Sequence, residues 1–432
     1  MKMITNYLVF YTLHSNFASE IGQEAHHFAK TEKMKPMRKV ILTACMAAVS
    51  MVATTTQAQP KLTATNIDQV MKAMTLEEKA KLLVGGSNNF FGDQAAVGGE
   101  ADLVAGAAGT SAAIPRLGIP ATVLTDGPAG VRIDPTRRGT THTFYATGFP
   151  IGSCLASTWN TELVRKVGEA VGNETKEYRC DVILGPGMNL HRNPLCGRNF
   201  EYYSEDPLLT GKIGAAYING VQSQGAGVSA KHFAVNSQET NRTSVDEQLS
   251  QRAARELYLR GFEIAVRESN PWTIMASYNK INGQYSMGNR DLLTSILRND
   301  WGYKGIIVSD CWAVDDFFVK GRHETHPDRA SAAASAVLSG TDLECGQAFA
   351  ALPDAVRNGL IKESDIDEHV LRLLTARFRL GEMDQDVPNE WDEIPYSVIS
   401  SDEHSALALQ MAHESMVLLQ NKNNLLLNKK FL

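Results

Sequence analysis

Short apolar runs that each end in a polar cluster recur along the chain. Six of them read ATVLTDGP, DVILGPGMN, GVSAKHFAVN, TIMASYNK, GIIVSDCW and GTDLECG, and they begin at residues 121, 181, 227, 273, 305 and 340. Continuous apolar runs of this length are typical of strands that are buried on both faces of a parallel sheet. The pattern therefore predicts a strand at each of these six places.

Amphipathic stretches with helical spacing lie between the apolar runs. The clearest are residues 161–178, 250–268 and 291–300. Six or more strands that alternate with helices in one domain favour an α/β fold of the closed, TIM-type (β/α)8 barrel class over an open sheet. In such barrels the polar residues that follow the strands face the active site.

Composition and charge narrow the possible functions. The chain has 432 residues, of which 43% are hydrophobic and 21% charged, which is an ordinary globular composition with enough apolar side chains for a sizeable core. The formal net charge is −6, so there is no surplus of cations to neutralise a polyanion. Nucleic acid is therefore not an expected partner.

A secretion signal is predicted, but it begins inside the chain. From Met34 the sequence has a basic stretch, a short apolar stretch and a small-residue cleavage site after Ala58. We expect residues 1–33 to be an over-long start and residues 34–58 to be a signal peptide, with export to the periplasm or the medium. The apolar stretch is shorter than the ~20 residues of a spanning helix, so no stable membrane span is expected. Lipoprotein anchoring at Cys45 ranks second.

The cysteines and the common short motifs point to no metal and no cofactor. Six cysteines occur without any C-x-x-C pair, which indicates neither a zinc site nor a disulfide framework, so free buried thiols are expected. The motifs H-E-x-x-H and G-x-S-x-G are absent from the sequence.

Candidate site residues follow the predicted strands. They mix acids, bases and aromatic rings: Asp126, Arg132, His191, Arg192, Arg198, Lys231, His232, Tyr278, Asp310, Cys311 and Trp312. Carboxylates accept hydrogen bonds from sugar hydroxyls, cations donate to them, and aromatic rings cover apolar sugar faces. The mixture predicts a pocket for a carbohydrate.

Five longer segments make the chain similar to family 3 glycoside hydrolases, from about residue 62 to the end. They are LTDGPAGVR from Leu124, GRNFEYYSEDP from Gly197, AKHFAVNSQETNR from Ala230, IMASYNKING from Ile274 and KGIIVSDCWA from Lys304. The resemblance implies a barrel over residues 62–385, a linker over 386–412, and over 413–432 only the opening stub of a second, α/β sandwich domain.

The resemblance also implies an activity and its residues. The implied enzyme is a retaining exo-β-glycosidase that hydrolyses terminal β-D-glucosyl residues of a β-linked oligosaccharide or glycoside through a covalent glycosyl-enzyme. It implies that Asp310 is the nucleophile, and that Asp126, Arg198, Lys231 and His232 bind the sugar, with Tyr278 beside the nucleophile.

Each of these positions also has a structural alternative. Asp310 fits a helix N-cap, Lys231 and His232 fit a buried ion-pair site, and Asp126 fits a turn. Arg192 and Arg198 could instead pair with Glu201, Glu205 or Asp206, and we favour a structural role for Arg192 and a ligand role for Arg198. Trp312 fits the core and a sugar platform equally well.

Two features leave the activity open. The text K-H-F-A-V-N disfavours the N-acetylglucosaminidase branch of the family, whereas V-S-D-C and G-T-D-L-E-C-G keep a β-xylosidase as the alternative to a glucosidase. The resemblance places the general acid/base in the sandwich domain, and the spacing of Glu344 and Glu205 does not support either as a substitute. A catalytically impaired, exported sugar-binding fragment is therefore the other alternative.

Overall fold

The computed structural model describes residues 59–85, 103–137, 139–379 and 393–422. The expected over-long start at 1–33, the signal peptide at 34–58 and Cys45 lie outside these residues. Within the described ranges, no helix is both long enough and apolar enough to cross a bilayer.

In the described residues, nine strands form two sheets. In chain order they are β1 (Gly109–Thr110), β2 (Val123–Asp126), β3 (Val182–Leu184), β4 (Gly227–Phe233), β5 (Asp246–Glu247), β6 (Thr273–Ala276), β7 (Lys280–Ile281), β8 (Gln284–Tyr285) and β9 (Ile306–Val308). The main sheet has the order β1-β2-β3-β4-β6-β9, and a small sheet has the order β5-β7-β8. In the main sheet β1 is antiparallel to β2, and all other neighbours are parallel.

Two isolated parallel bridges continue the main sheet beyond β9. Val308 pairs with Leu343, and Glu344 pairs with Val84, so that two further segments lie beside β9 in turn. No pairing between the Val84 segment and β1 is found in the described residues. The predicted α/β architecture is confirmed, but closure into a full (β/α)8 barrel is not.

Helices occupy most of the chain between the strands. The α-helices are Ile67–Ala73, Leu76–Leu82, Gly152–Ser157, Thr161–Glu177, Pro207–Gln222, Gln251–Ala253, Arg260–Ser269, Arg329–Ser339, Leu352–Arg357, Glu363–Arg379 and Asp402–Glu414. Ala254–Tyr258 and Asp291–Asp300 are π-helical, and 3-10 turns lie at Pro115–Leu117, Ser286–Gly288, Asp315–Phe317, Ala348–Ala351 and Tyr396–Val398.

Local sequence explains why the two long neighbouring helices begin where they do. Asn160 accepts a hydrogen bond from the Leu163 N–H at the start of Thr161–Glu177, and Asp206 caps Pro207–Gln222, which begins with proline. The two helices pack closely, because a Cβ on Gly220 would lie 2.1 Å from the Arg165 carbonyl oxygen. Only glycine fits at that contact.

Five of the six predicted strands are strands in the structure, namely β2, β3, β4, β6 and β9. The sixth, GTDLECG, contributes only isolated bridges, at Leu343 and Glu344. The helix predicted over 250–268 divides into an α-helical turn, a π-helical segment and the helix Arg260–Ser269. The apolar pattern locates these elements correctly, whereas the shift from α to π pairing has no signal in it.

A buried polar cluster holds the amino-terminal end of β9. Asp342 is fully buried, and its carboxylate accepts from the Ile307 N–H at 2.8 Å and from Arg372 at 2.8 Å. It also contacts His369 at 2.7 Å and pairs with Arg298. Burial raises the pKa of this carboxyl, but the cations outweigh it and hold the pKa well below its usual range. The cluster lies at the opposite end of the strand from Asp310.

The carboxy-terminal helix Asp402–Glu414 falls mostly within the predicted linker. It packs on Thr161–Glu177, where His404 Nδ1 lies 2.8 Å from a carboxylate oxygen of the buried Glu174. After this helix, Met416–Leu419 is exposed and not in a strand. Residues 423–432 lie outside the described residues, and the sandwich stub at 413–432 stays a prediction.

Candidate active site

The carboxyl ends of four strands of the main sheet carry most of the predicted site residues. Asp126 is the last residue of β2, and Lys231 and His232 lie in the last part of β4. Tyr278 follows β6 by two residues, and Asp310 follows β9 by two residues. Because neighbouring parallel strands end at one edge of a sheet, these side chains come together, as the sequence predicts.

Asp126 and Lys231 form an ion pair at this edge. The Lys231 ammonium lies 2.8 Å from Asp126 Oδ1, and Arg132 lies 3.4 Å from Oδ2. The Lys231 side chain is 4% exposed and that of Asp126 is 30% exposed. Burial raises the pKa of Asp126, but the charge and hydrogen bond of Lys231 outweigh it, so the pKa lies below its ordinary value. The pair is both a structural contact and a charged edge of the open cleft.

Asp310 is buried at the end of β9 and keeps one free carboxylate oxygen. Oδ1 accepts from the Cys311 N–H at 2.8 Å, whereas Oδ2 has no hydrogen-bond partner among the described residues. No helix begins at Asp310, since the next regular element is the 3-10 turn Asp315–Phe317. The helix N-cap alternative is therefore wrong, and an unpaired oxygen is what a nucleophile requires.

Burial and the nearby cations act on Asp310 in opposite directions. Burial raises the pKa of Asp310 above its ordinary value, and the charges of Arg198 and Lys231 lower it again only in part. Desolvation is therefore the larger of the two effects.

His232 is buried beside Asp310 as a neutral ring. Burial, and then the charges of Arg198 and Lys231, hold the pKa of His232 well below its usual range. Its Nδ1 lies 3.2 Å from the Tyr202 hydroxyl and 3.3 Å from Asn189 Oδ1, and its Nε2 lies 3.8 Å from Asp310 Oδ2. A neutral imidazole can form a hydrogen bond without adding a further positive charge beside Arg198 and Lys231.

Tyr278 fixes the residue that follows Asp310. Its hydroxyl donates to the Cys311 carbonyl at 2.7 Å, and burial, with the nearby Asp310, raises the pKa of the phenol well above its usual range. The Arg242 guanidinium lies 4.5 Å from the centre of the Tyr278 ring and 3.1 Å from Glu239.

The two arginines of the loop after β3 have different surroundings. Arg198 pairs with Glu201, lies 4.0 Å from Glu239 and lines the cleft. Arg192 is exposed, and its guanidinium lies 5.7 Å from the Tyr258 ring. The ion pair with Glu201 does not remove Arg198 from the cleft. Among the described residues no ion pair joins Arg192 to Glu201, Glu205 or Asp206, so its structural role stays a prediction.

An open cleft of about 530 Å³ runs along this edge. Eleven residues line it: Asp126, Gly127, Pro128, Ala129, Gly130, Val131, Arg132, Arg198, Phe200, Glu201 and Lys231. Another depression of about 530 Å³ surrounds Arg290 and Arg298, but none of the predicted site residues lines it. The chemistry of its lining, and not its volume, makes the first cleft the candidate site. Asp310, His232 and Tyr278 are not among its lining residues.

The carboxylates considered as substitute acids are not placed for that role. Glu344 is fully buried and accepts from the Phe349 N–H at 2.6 Å, and burial, with the charge of Asp315, raises its pKa to about 8. Glu205 is exposed and does not line the cleft. Glu201 lines the cleft but is paired with Arg198.

The expectation of free thiols is wrong at two positions. Cys311 and Cys345 form a disulfide across 34 residues, while Cys154, Cys180 and Cys196 are free. The sequence spacing did not indicate this bond, because the parallel bridge between Val308 and Leu343 is what brings the two cysteines together.

Sequence reasoning also missed several polar neighbours of the site. Asn189 holds the His232 backbone through two bonds of 2.8 Å, and Glu239 and Arg242 link Arg198 to Tyr278. The only sequence signal for these residues was their position in the polar segments that follow predicted strands. Trp312 is half-buried with a φ of 64°, and its N–H donates to the Cys345 carbonyl at 2.6 Å.

Similar proteins are known for most of the chain. A thermostable beta-glucosidase B from Acetivibrio thermocellus is 38% identical over 374 residues, which are 85% of this chain and 44% of that enzyme. A xylan 1,4-beta-xylosidase from Xylanibacter ruminicola is 37% identical over 309 residues, which are 66% of this chain and 36% of that enzyme. The chain thus spans less than half the length of these relatives.

A solved structure has the same fold. Beta-glucosidase 3B from Thermotoga neapolitana, in complex with glucose, superimposes with a TM-score of 0.72 at 41% identity, over 83% of this chain and 48% of that one. The sequence profile of the glycosyl hydrolase family 3 N terminal domain matches residues 49–376. The matched range contains the segments that carry Asp126, Lys231 and Asp310. The chain therefore belongs to glycosyl hydrolase family 3.

Proposed function

We propose that this chain carries the nucleophile and sugar-binding half of a retaining exo-β-glycosidase that acts on terminal β-D-glucosyl residues. The observation that carries the proposal is Asp310: a buried carboxylate with one unpartnered oxygen, at the end of a strand whose neighbours place cations beside it. The likeness to beta-glucosidases over most of the chain supports the same assignment.

The chemistry follows from the free oxygen. Asp310 Oδ2 attacks the anomeric carbon, the bond from that carbon to the leaving oxygen breaks, and a glycosyl ester on Asp310 results. Water then hydrolyses the ester and regenerates the carboxylate. Retention also requires a second carboxyl group that protonates the leaving oxygen, and none of Glu201, Glu205 and Glu344 is placed for this step.

The other charged residues act on the sugar and on the nucleophile. Asp126 accepts hydrogen bonds from sugar hydroxyls, while Lys231 and Arg198 donate to them. The same two cations lower the pKa of Asp310 against the effect of burial, which keeps a larger fraction of the carboxyl ionised. Neutral His232 and Tyr278 lie beside the nucleophile, with His232 Nε2 at 3.8 Å from Asp310 Oδ2 and the Tyr278 hydroxyl bonded to the Cys311 carbonyl.

A β-xylosidase is the second candidate. The likeness to the Xylanibacter ruminicola xylosidase supports it. The two sugars differ by the hydroxymethyl group of glucose, so a glucoside and a xyloside with the same aryl leaving group separate the candidates directly.

Covalent labelling tests the proposal. The purified chain is incubated with 2-deoxy-2-fluoro-β-D-glucosyl fluoride and analysed by intact mass and peptide mapping, with Asp310→Asn as the variant and Asp342→Asn as the buried-carboxylate control. We expect one glycosyl adduct on Asp310, none in Asp310→Asn, and an unchanged site in the control. A label on another residue, with Asp310 unmodified, would refute the assignment.

We also propose that the protein is exported to the periplasm or the medium. The predicted signal at residues 34–58 motivates this, and the Cys311–Cys345 disulfide supports it, since such bonds persist mainly in oxidising compartments. Fractionation of expressing cells tests the proposal, and a chain found in the cytoplasm with Met34 still attached would contradict it.

A further inference from the structure

The disulfide lies directly beside the proposed nucleophile. Cys311 follows Asp310 in the chain, and Cys345 lies in the segment that pairs with the end of β9. Neither the strand pattern nor the sugar-binding residues account for a covalent cross-link at this point.

The peptide of Cys311 contacts the nucleophile on one side and Tyr278 on the other. Its N–H donates to Asp310 Oδ1 at 2.8 Å, and its carbonyl accepts from the Tyr278 hydroxyl at 2.7 Å. The orientation of this peptide therefore sets which carboxylate oxygen is held and which is left free. Its Sγ is the third point of attachment, through the bond to Cys345.

The segment around Cys345 is itself well anchored. The Glu344 N–H donates to the Leu83 carbonyl at 2.9 Å, and the Glu344 carbonyl accepts from the Gly85 N–H at 2.7 Å. Cys345 itself bonds to the residues on either side of the Asp310–Cys311 pair, at Ser309 Oγ and at the Trp312 N–H. Cys345 is buried, whereas Cys311 is half-buried and belongs to an irregular turn between β9 and the 3-10 turn at Asp315–Phe317. The disulfide thus fastens the less regular segment, which carries Asp310, to the more buried one.

We propose that the Cys311–Cys345 disulfide is a positioning element for the Asp310 carboxylate, and that loss of the bond slows glycosyl-enzyme formation much more than it weakens sugar binding. The proposal rests on the assignment of Asp310 as nucleophile. A displacement of about 1 Å in a reacting group can cost on the order of 100-fold in rate, whereas binding depends mainly on Asp126, Arg198 and Lys231, which the disulfide does not contact.

The test compares the rate of labelling with the affinity for glucose. In the labelling step an Asp310 oxygen bonds to the anomeric carbon of 2-deoxy-2-fluoro-β-D-glucosyl fluoride as the carbon–fluorine bond breaks and fluoride leaves. The variant is the double change Cys311→Ser with Cys345→Ser, and the matched control is Cys154→Ser, a free cysteine outside the site. The 432-residue chain, reduced with a phosphine and then reoxidised, provides a second comparison without substitution.

We expect labelling to slow by about 10- to 100-fold in the double variant and in the reduced chain. Glucose affinity should change by less than about threefold, the control should match the unaltered chain, and reoxidation should restore the rate. Unchanged labelling without the disulfide would overturn the proposal. So would a parallel loss of labelling, glucose affinity and melting temperature, because that pattern indicates a general structural role.

Hydrogen exchange separates this proposal from the proposed function. The Cys311 amide is measured by mass spectrometry in the free protein, and its exchange should be faster in the double variant than in the control. If the unaltered chain takes no label at all, the proposed function fails, and the exchange result alone decides the positioning role. Equal protection with and without the disulfide would then refute it.

Discussion

The ion pair between Lys231 and Asp126 permits a prediction that separates folding from sugar binding. The variant Lys231→Met removes the ammonium and keeps the length of the side chain, and Asp126→Asn removes the charge of the carboxylate. Both residues are proposed to bind sugar, so both changes should weaken glucose affinity. Their effects on the free energy of unfolding should differ, because the two side chains are buried to different extents.

The magnitudes follow from the geometry. At 2.8 Å the Coulomb energy of the pair is about 6 kcal/mol for an effective dielectric constant of about 20, before the cost of desolvation is subtracted. Asp126→Asn leaves an ammonium that is 4% exposed without a charged partner, so we expect a loss of about 3 kcal/mol. Lys231→Met leaves a carboxylate that is 30% exposed and still lies 3.4 Å from Arg132, so we expect a loss of about 1–2 kcal/mol.

The assay is a double-mutant cycle in urea at pH 7, with glucose affinity measured on the same samples by calorimetry. The expected coupling energy is about 2 kcal/mol. The exposed pair Lys212 and Glu268, at 2.6 Å with side chains 48% and 42% exposed, is the control cycle, and it should give less than about 1 kcal/mol. A coupling no larger than that of the control would refute the reasoning from burial.

The same variants predict a pH dependence. The pKa of Asp126 is lower in the folded chain than its ordinary value of 3.8, so its contribution to stability is complete above that value and is lost as the pH falls through the folded pKa. Lys231→Met should reduce this loss of stability as the pH falls below 3.8. Identical acid unfolding curves for the two proteins would contradict the assignment.

Three further predictions concern the nucleophile, the leaving group and the core. Arg242 lowers the pKa of Asp310. We therefore expect Arg242→Ala to move the acid limb of the pH profile of the labelling rate to higher pH, and Arg242→Lys to leave it nearly in place. An acid limb that does not move in Arg242→Ala would contradict this electrostatic effect. None of Glu201, Glu205 and Glu344 is placed as a general acid, and general acid catalysis contributes roughly 10²- to 10⁴-fold to the rate, least for a good leaving group. We therefore expect slow hydrolysis of dinitrophenyl β-glucoside and hardly any hydrolysis of cellobiose. Brisk cleavage of cellobiose would show that an acid is present. Asp342→Asn should lower the free energy of unfolding, measured in urea, by about 3 kcal/mol, because it leaves Arg298 without its buried charged partner. Glucose affinity should not change. A loss of affinity would contradict the separation of Asp342 from the sugar-binding residues.

Local pattern was sufficient for five of the six predicted strands and for the sheet edge at which the candidate residues lie. Apolar runs predicted β2, β3, β4, β6 and β9, because a strand buried on both faces must be apolar along its length. The polar residues after those runs were correctly expected at one edge, since parallel strands end together. The segments that carry the family resemblance are these same strand ends.

The tertiary structure alone decided how the site residues are connected. Cys311 and Cys345 are 34 residues apart, and only the bridge between Val308 and Leu343 makes them neighbours. Burial by distant segments raises the pKa of Asp310, and the nearby cations lower it again only in part; no local pattern encodes this balance. Hydrophobic periodicity is a property of neighbouring residues in the chain, whereas charge environment, disulfide pairing and a free carboxylate oxygen depend on contacts between residues far apart in sequence.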